Sequence, residues 1–79
     1  MSYSLTINGK DRGGFDSLDA VFRELDAVYH SGELDLFDDV SWELTGPKGT
    51  VSETMDMNMW EAQCENAHAF KLWLDAFRW

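Results

Sequence analysis

Cys64 and His68 stand four residues apart in a chain of 79 residues that has one cysteine and two histidines. On a helix that spacing sets two metal-binding side chains on one face. Two donors do not complete a coordination sphere, however; His30 falls on a different segment and no CxxC pair occurs. The pair reads as a small apolar thiol beside a half-exposed imidazole. Nucleophilic catalysis needs Ser, Cys or Thr next to a base and an oxyanion hole, and the sequence carries no GxSxG. "NGKDRGG" lacks the GxxxxGK[ST] order that cradles phosphate, so Lys10 and Arg12 read as loop charges. A calcium loop needs alternating oxygen ligands, Gly at its sixth position and Glu at its twelfth, and neither Asp35 nor Asp38 begins such a run. The expectation is a non-enzyme with no catalytic residue, cofactor or metal.

Carboxylates are what the chain has in excess: fifteen acids against six bases, a net charge of −9. Residues 1–15 sum to +1, residues 16–43 to −8 and residues 44–79 to −2, so the excess sits in the middle third. There "HSGELDLFDDVSWEL", His30 to Leu44, places Glu33, Asp35, Asp38, Asp39 and Glu43 among apolar residues without a Lys or Arg. Such charge repels nucleic acid and anionic lipid and favours a cationic partner. Solvated acidic faces are common on helices, and Asp16 and Asp19 suit a helix N-terminus in any case. Against that, Arg23 is the only base among residues 16–43. Between Asp16 and Asp26 a helix rises about 15 Å, a reach comparable with a run of phosphates spaced about 1.7 Å apart along duplex DNA. The candidate partner-binding face is therefore Asp16, Asp19, Asp26, Glu33, Asp35, Asp38, Asp39 and Glu43. Leu72 and Trp79 form a candidate second patch if exposed together; alternatively, a terminal aromatic closes the edge of a small core.

These residues need a scaffold. "SYSLTI" alternates as a strand with Tyr3, Leu5 and Ile7 on one face. Asn8-Gly9 is a good two-residue turn, but "KDRGG" has no matching apolar alternation, so a loop is expected after it. Leu18, Val21, Phe22, Leu25, Val28 and Tyr29 follow helical spacing, capped by Asp16 or Ser17, stapled by Phe15 and stopped at Gly32; Asp16, Asp19, Arg23, Asp26 and His30 fall opposite. "ELDLFDD" is left as a connection. Val40, Trp42 and Leu44 alternate, "GPKG" supplies a turn, and Val51, Met55 and Met57 alternate after it, which predicts a hairpin over residues 39–57. Trp60, Cys64, Ala67, Phe70, Leu74 and Phe77 predict one helix over about residues 58–77. The expected fold is a single α+β domain over residues 1–79: a three-stranded antiparallel-type sheet with two helices on one face, in the order β-α-β-β-α.

Hydrophobic residues make up 44% and aromatics 14%, too many for a disordered acidic tail. One cysteine allows no internal disulfide, and the start lacks a charged region followed by an apolar run; both suit a reducing cytoplasm. No apolar stretch approaches the roughly 20 residues that span a bilayer. A soluble monomer that contacts neither membrane nor nucleic acid is expected.

The start "MSYSLTINGKDRGGFDSLDAVFREL", the helix that follows, the acidic middle and the want of catalytic parts resemble the small phage-encoded anti-CRISPR proteins, inhibitors of type I-C systems among them. The resemblance implies inhibition in the bacterial cytoplasm by binding the Cascade surveillance complex, often at its Lys-rich DNA-binding backbone subunits. Target DNA is then blocked, by mimicry or by competition. An acidic interaction module or regulatory adaptor for a basic host protein is the alternative. No residue role is carried over by motif; the acidic positions come from charge alone.

Overall fold

The computed structural model describes residues 2–31 and 38–79. β1 (Tyr3–Ile7) buries Leu5 and Ile7 and turns Ser4 and Thr6 outward, as its alternation requires. Asn8 and Gly9 both take positive φ, 52° and 81°, which is the type I′ turn of a tight hairpin. Asn8 also holds that turn to the neighbouring strand: its N–H donates to Ser41 O at 2.6 Å, and its Oδ1 accepts from Ser41 N at 3.0 Å.

The turn leads into a strand and not into the expected loop. β2 (Lys10–Phe15) pairs antiparallel with β1, with a register shift between Ser4 and Thr6. It shows no apolar alternation because it is an edge strand exposed from Lys10 to Gly14, held by backbone bonds and by the ion pair of Arg12 with Glu24 (3.1 Å). Only Phe15 at its end touches the core.

α1 (Leu18–Tyr29) begins where Ser17 Oγ accepts from Ala20 N at 3.2 Å, and its first turn carries Asp19. Val21, Leu25 and Tyr29 are fully buried, with Leu18, Phe22 and Val28 packed beside them. The helix is capped at His30; Gly32, the expected stop, lies outside the described residues. β3 (Val40–Gly46) and β4 (Gly49–Met55) form the expected hairpin, seven pairs in unbroken register from Val40↔Met55 to Gly46↔Gly49. Met57 does not continue the strand: Asp56 Oδ1 accepts from Met59 N at 2.8 Å and starts a helix at Met57.

The single C-terminal helix is in fact three pieces: α2 (Met57–Gln63), α3 (Ala67–Trp73) and a π-helical turn (Leu74–Arg78). The break falls at Asn66, whose Oδ1 accepts from Ala69 N at 2.8 Å. A side chain that can bond the backbone nearby competes with the helix ladder and favours a new N-cap. Wound wider at its end than the α-helical period of the sequence, with Trp79 N–H donating to Leu74 O five residues back, the chain leaves Phe77 69% exposed while Leu74 is buried.

The sheet order is β2-β1-β3-β4, all neighbours antiparallel. The α+β class thus stands, with four strands and three α-helices among the described residues in place of the expected three and two. Leu5, Ile7, Val40, Trp42, Leu44, Val51 and Met55 line the covered face. Trp60 sits at the centre of an aromatic cluster, its ring 4.9 Å from Tyr29, 5.5 Å from Phe22, 5.7 Å from Phe70 and 6.4 Å from Trp42. Such pairs add to the area that the rings bury. Among the described residues no helix is long and apolar enough to cross a membrane.

Candidate partner-binding surface

The pairings that build the sheet bring four chain segments to one pole. Val40 pairs with Met55, and the buried Tyr29 hydroxyl donates to Met55 O at 2.9 Å. The end of α1, the start of β3, the end of β4 and the start of α2 therefore meet. Asp38 and Asp39, both exposed, immediately precede Val40, and Asp56 immediately follows Met55. Burial of Tyr29 pushes its phenol well above its ordinary pKa, so this tie is uncharged.

At that pole α1 and α2 are cross-linked. His30 Nδ1 lies 3.0 Å from Asp26 O and 3.1 Å from Asp26 Oδ1, and His30 Nε2 lies 3.1 Å from Glu61 Oε1. Trp60 Nε1 donates to the same Asp26 Oδ1 at 3.0 Å. All of the imidazole's partners are acceptors, so both ring nitrogens are satisfied only as donors, in the imidazolium form. Glu61 and the Asp26 backbone accordingly raise the His30 pKa. Asp26, His30, Trp60, Glu61, Cys64 and Glu65 line a hollow of about 420 Å³. Burial pushes the Cys64 thiol up to about 12, and His68 is exposed on α3, a different helix from the one that Cys64 closes. Among the described residues no group of three or more His, Cys, Asp or Glu side chains is arranged to hold a metal ion.

The structure divides the eight acids picked out by charge. Asp38 and Asp39 are exposed at the pole, and Asp26 lies there too, half-buried and engaged by His30 and Trp60. Asp16 is exposed ahead of α1, at the opposite end of that helix, and Asp19 in its first turn is paired with Lys71 of α3 at 2.9 Å. Glu43 lies on the outer face of the sheet, the side away from the helices, where it accepts from Ser52 Oγ at 3.2 Å. Glu33 and Asp35 lie outside the described residues. Sequence reasoning thus merged two ends of α1 and both sides of the sheet. It missed His30, Trp60 and Glu61 as the groups that organise the pole. The i,i+4 spacing of Asp26 and His30 was a legible signal, whereas Glu61 comes near them only because the C-terminal helix breaks.

The second patch also divides. Leu72 is 56% exposed, but Trp79 is half-buried, stacked on Tyr3 with ring centroids 6.3 Å apart. Trp79 closes the core edge; the large apolar side chain exposed beside it in the C-terminal segment is Phe77.

The outer face of the sheet is polar. Ser41 and Thr54 hydroxyls are 2.9 Å apart and Thr45 and Thr50 hydroxyls 3.2 Å apart, flanking the Glu43–Ser52 bond. A hollow of about 330 Å³ opens there, lined by Thr6, Glu43, Ser52 and Thr54 among others.

The chain matches no protein-family model, no curated protein and no solved structure.

Proposed function

We propose that this chain is a binding protein and not an enzyme, and that its acidic pole docks on the cationic nucleic-acid-binding surface of a partner and keeps nucleic acid off it. Taken with the resemblance of the sequence, the partner is the Cascade surveillance complex, whose backbone subunits offer such a surface, and the protein acts as an anti-CRISPR inhibitor in the bacterial cytoplasm. The observation that carries this reading is the convergence of Asp26, Asp38, Asp39, Asp56 and Glu61 where α1 ends, β3 begins and α2 starts. Charge of this kind steers encounter with a basic surface and is weakened by salt.

The test is charge reversal. Asp38→Lys with Asp39→Lys changes two exposed side chains, and circular dichroism and the melting temperature are followed beside binding so that only a folded variant is scored. The double variant should lose capture by purified Cascade and restore its DNA binding. A well-folded double variant that still captures Cascade and blocks DNA would sink the reading. The regulatory-adaptor reading is favoured by a different feature, the exposed apolar Leu72 and Phe77; it requires that Leu72→Ser with Phe77→Ser, and not the charge reversal, abolish binding.

A further inference from the structure

The two edges of the sheet are protected unequally. β2 carries Lys10 and Arg12, a positive-φ Gly13 at 93° and a register shift, all of which discourage another strand from adding. β4, the other edge, has no basic residue and no register shift: its seven residues, "GTVSETM", pair in continuous register without Lys, Arg or Pro, and its positive-φ residue, Gly49 at 129°, stands at the turn end and leaves Thr50 to Met55 regular. Among the described residues no strand pairs with its outer side. In an antiparallel ladder alternate N–H and C=O groups of an edge strand point away from the sheet, and here they run for about 23 Å at 3.3 Å per residue.

We propose that the outer edge of β4 is a second docking site that accepts an extended, basic segment of the partner as a fifth strand. Charge argues for that occupant and against a second copy of this chain, since each copy carries a net −9. Outward-facing side chains of the added strand would lie beside Thr50, Ser52 and Thr54, with Glu43 one strand behind. Those facing the helices would lie beside Val51 and Met55, with Glu53 between them held by Arg78. The π-helical turn bearing exposed Phe77 is pinned to β4 through Arg78 and Glu53, and to the β3–β4 turn through Lys48 and Asp75 at 3.1 Å. An extended segment that alternates Lys or Arg with Val or Ile fits both sides. The inference rests on the preceding reading only for the partner's positive charge.

A synthetic nine-residue peptide of alternating Lys and Val tests it, titrated into the isotope-labelled protein and followed by amide shifts and hydrogen exchange. The expected result is shifts centred on residues 49–55, with new protection at alternate β4 amides. Methylating one set of alternate peptide nitrogens should abolish binding, while methylating the other set should leave it. Asp38→Lys with Asp39→Lys should bind the peptide as the parent does, which separates failure of this site from failure of the acidic pole. Shifts centred on Asp38, Asp39 and Glu61, equal binding by both methylated peptides, or no binding at millimolar peptide would each overturn the proposal.

Discussion

His30 is where local chemistry and interface charge meet. Its imidazolium joins two carboxylates on different helices, and its pKa is raised by the hydrogen bond to Glu61 and by the Asp26 backbone. A histidine with a raised folded-state pKa contributes stability that is complete below its unfolded value, near 6.5, and is lost as pH rises through the folded value. In a histidine-ring NMR titration His30 should therefore titrate above the ordinary histidine value, and Glu61→Gln should move it downward. Because the site is half-exposed, the accompanying change in melting temperature should be small. Cys64 makes a complementary case: 1% exposed, with a thiol pushed up to about 12, it should resist a thiol reagent in the native state and react in urea at the rate of unfolding. Rapid reaction of the folded protein would show that the end of α2 is open.

At the scale of elements, the legible parts were those whose burial imposes a period. α1, β1 and the β3–β4 hairpin each bury one face, so Val21, Leu25 and Tyr29, or Val40, Trp42 and Leu44, announce themselves by spacing. β2 buries nothing before Phe15, so only the Asn8-Gly9 turn hinted at it. The break at Asn66 was hidden because Trp60, Cys64, Phe70 and Leu74 are all core residues and keep helical spacing across it. The acidic site was legible as composition but not as geometry, since a strand's two sides, and thus the placement of Glu43, follow from pairing. Packing between elements gives a direct check at Gly46, where a methyl group would stand 2.7 Å from the Tyr3 ring, itself stacked on Trp79. Gly46→Ala should cost about 1 to 3 kcal/mol in urea unfolding, as overpacking does, and should perturb Trp79 fluorescence. An unchanged midpoint would mean that Trp79 does not pin Tyr3.

For the whole molecule, the decisive quantity is net charge: Asp11, Asp19, Glu24, Asp26, Glu43, Glu53, Asp56, Glu61 and Asp75 each bond or pair within the described residues, yet only six Lys and Arg stand against fifteen acids. Among the described residues, four of the six cations pair across elements: Arg12–Glu24, Lys48–Asp75 and Arg78–Glu53 tie helical segments to the sheet and its turn, and Lys71–Asp19 ties α3 to α1. Exposed pairs of this kind contribute about 0 to 1 kcal/mol each, so stability rests on the aromatic core, and the chain keeps its net charge of −9. The acids that the fold gathers at the pole of Asp38 and Asp39 are distinct from those it spends at the start of α1 or on the outer sheet face. The measurement that bears most directly on this account is DNA binding by a preformed complex of Cascade with this protein, followed across a salt series. The account predicts that the complex binds no target DNA at low salt, and that DNA binding returns as salt releases the protein. Normal DNA binding by Cascade that still holds the protein would contradict it.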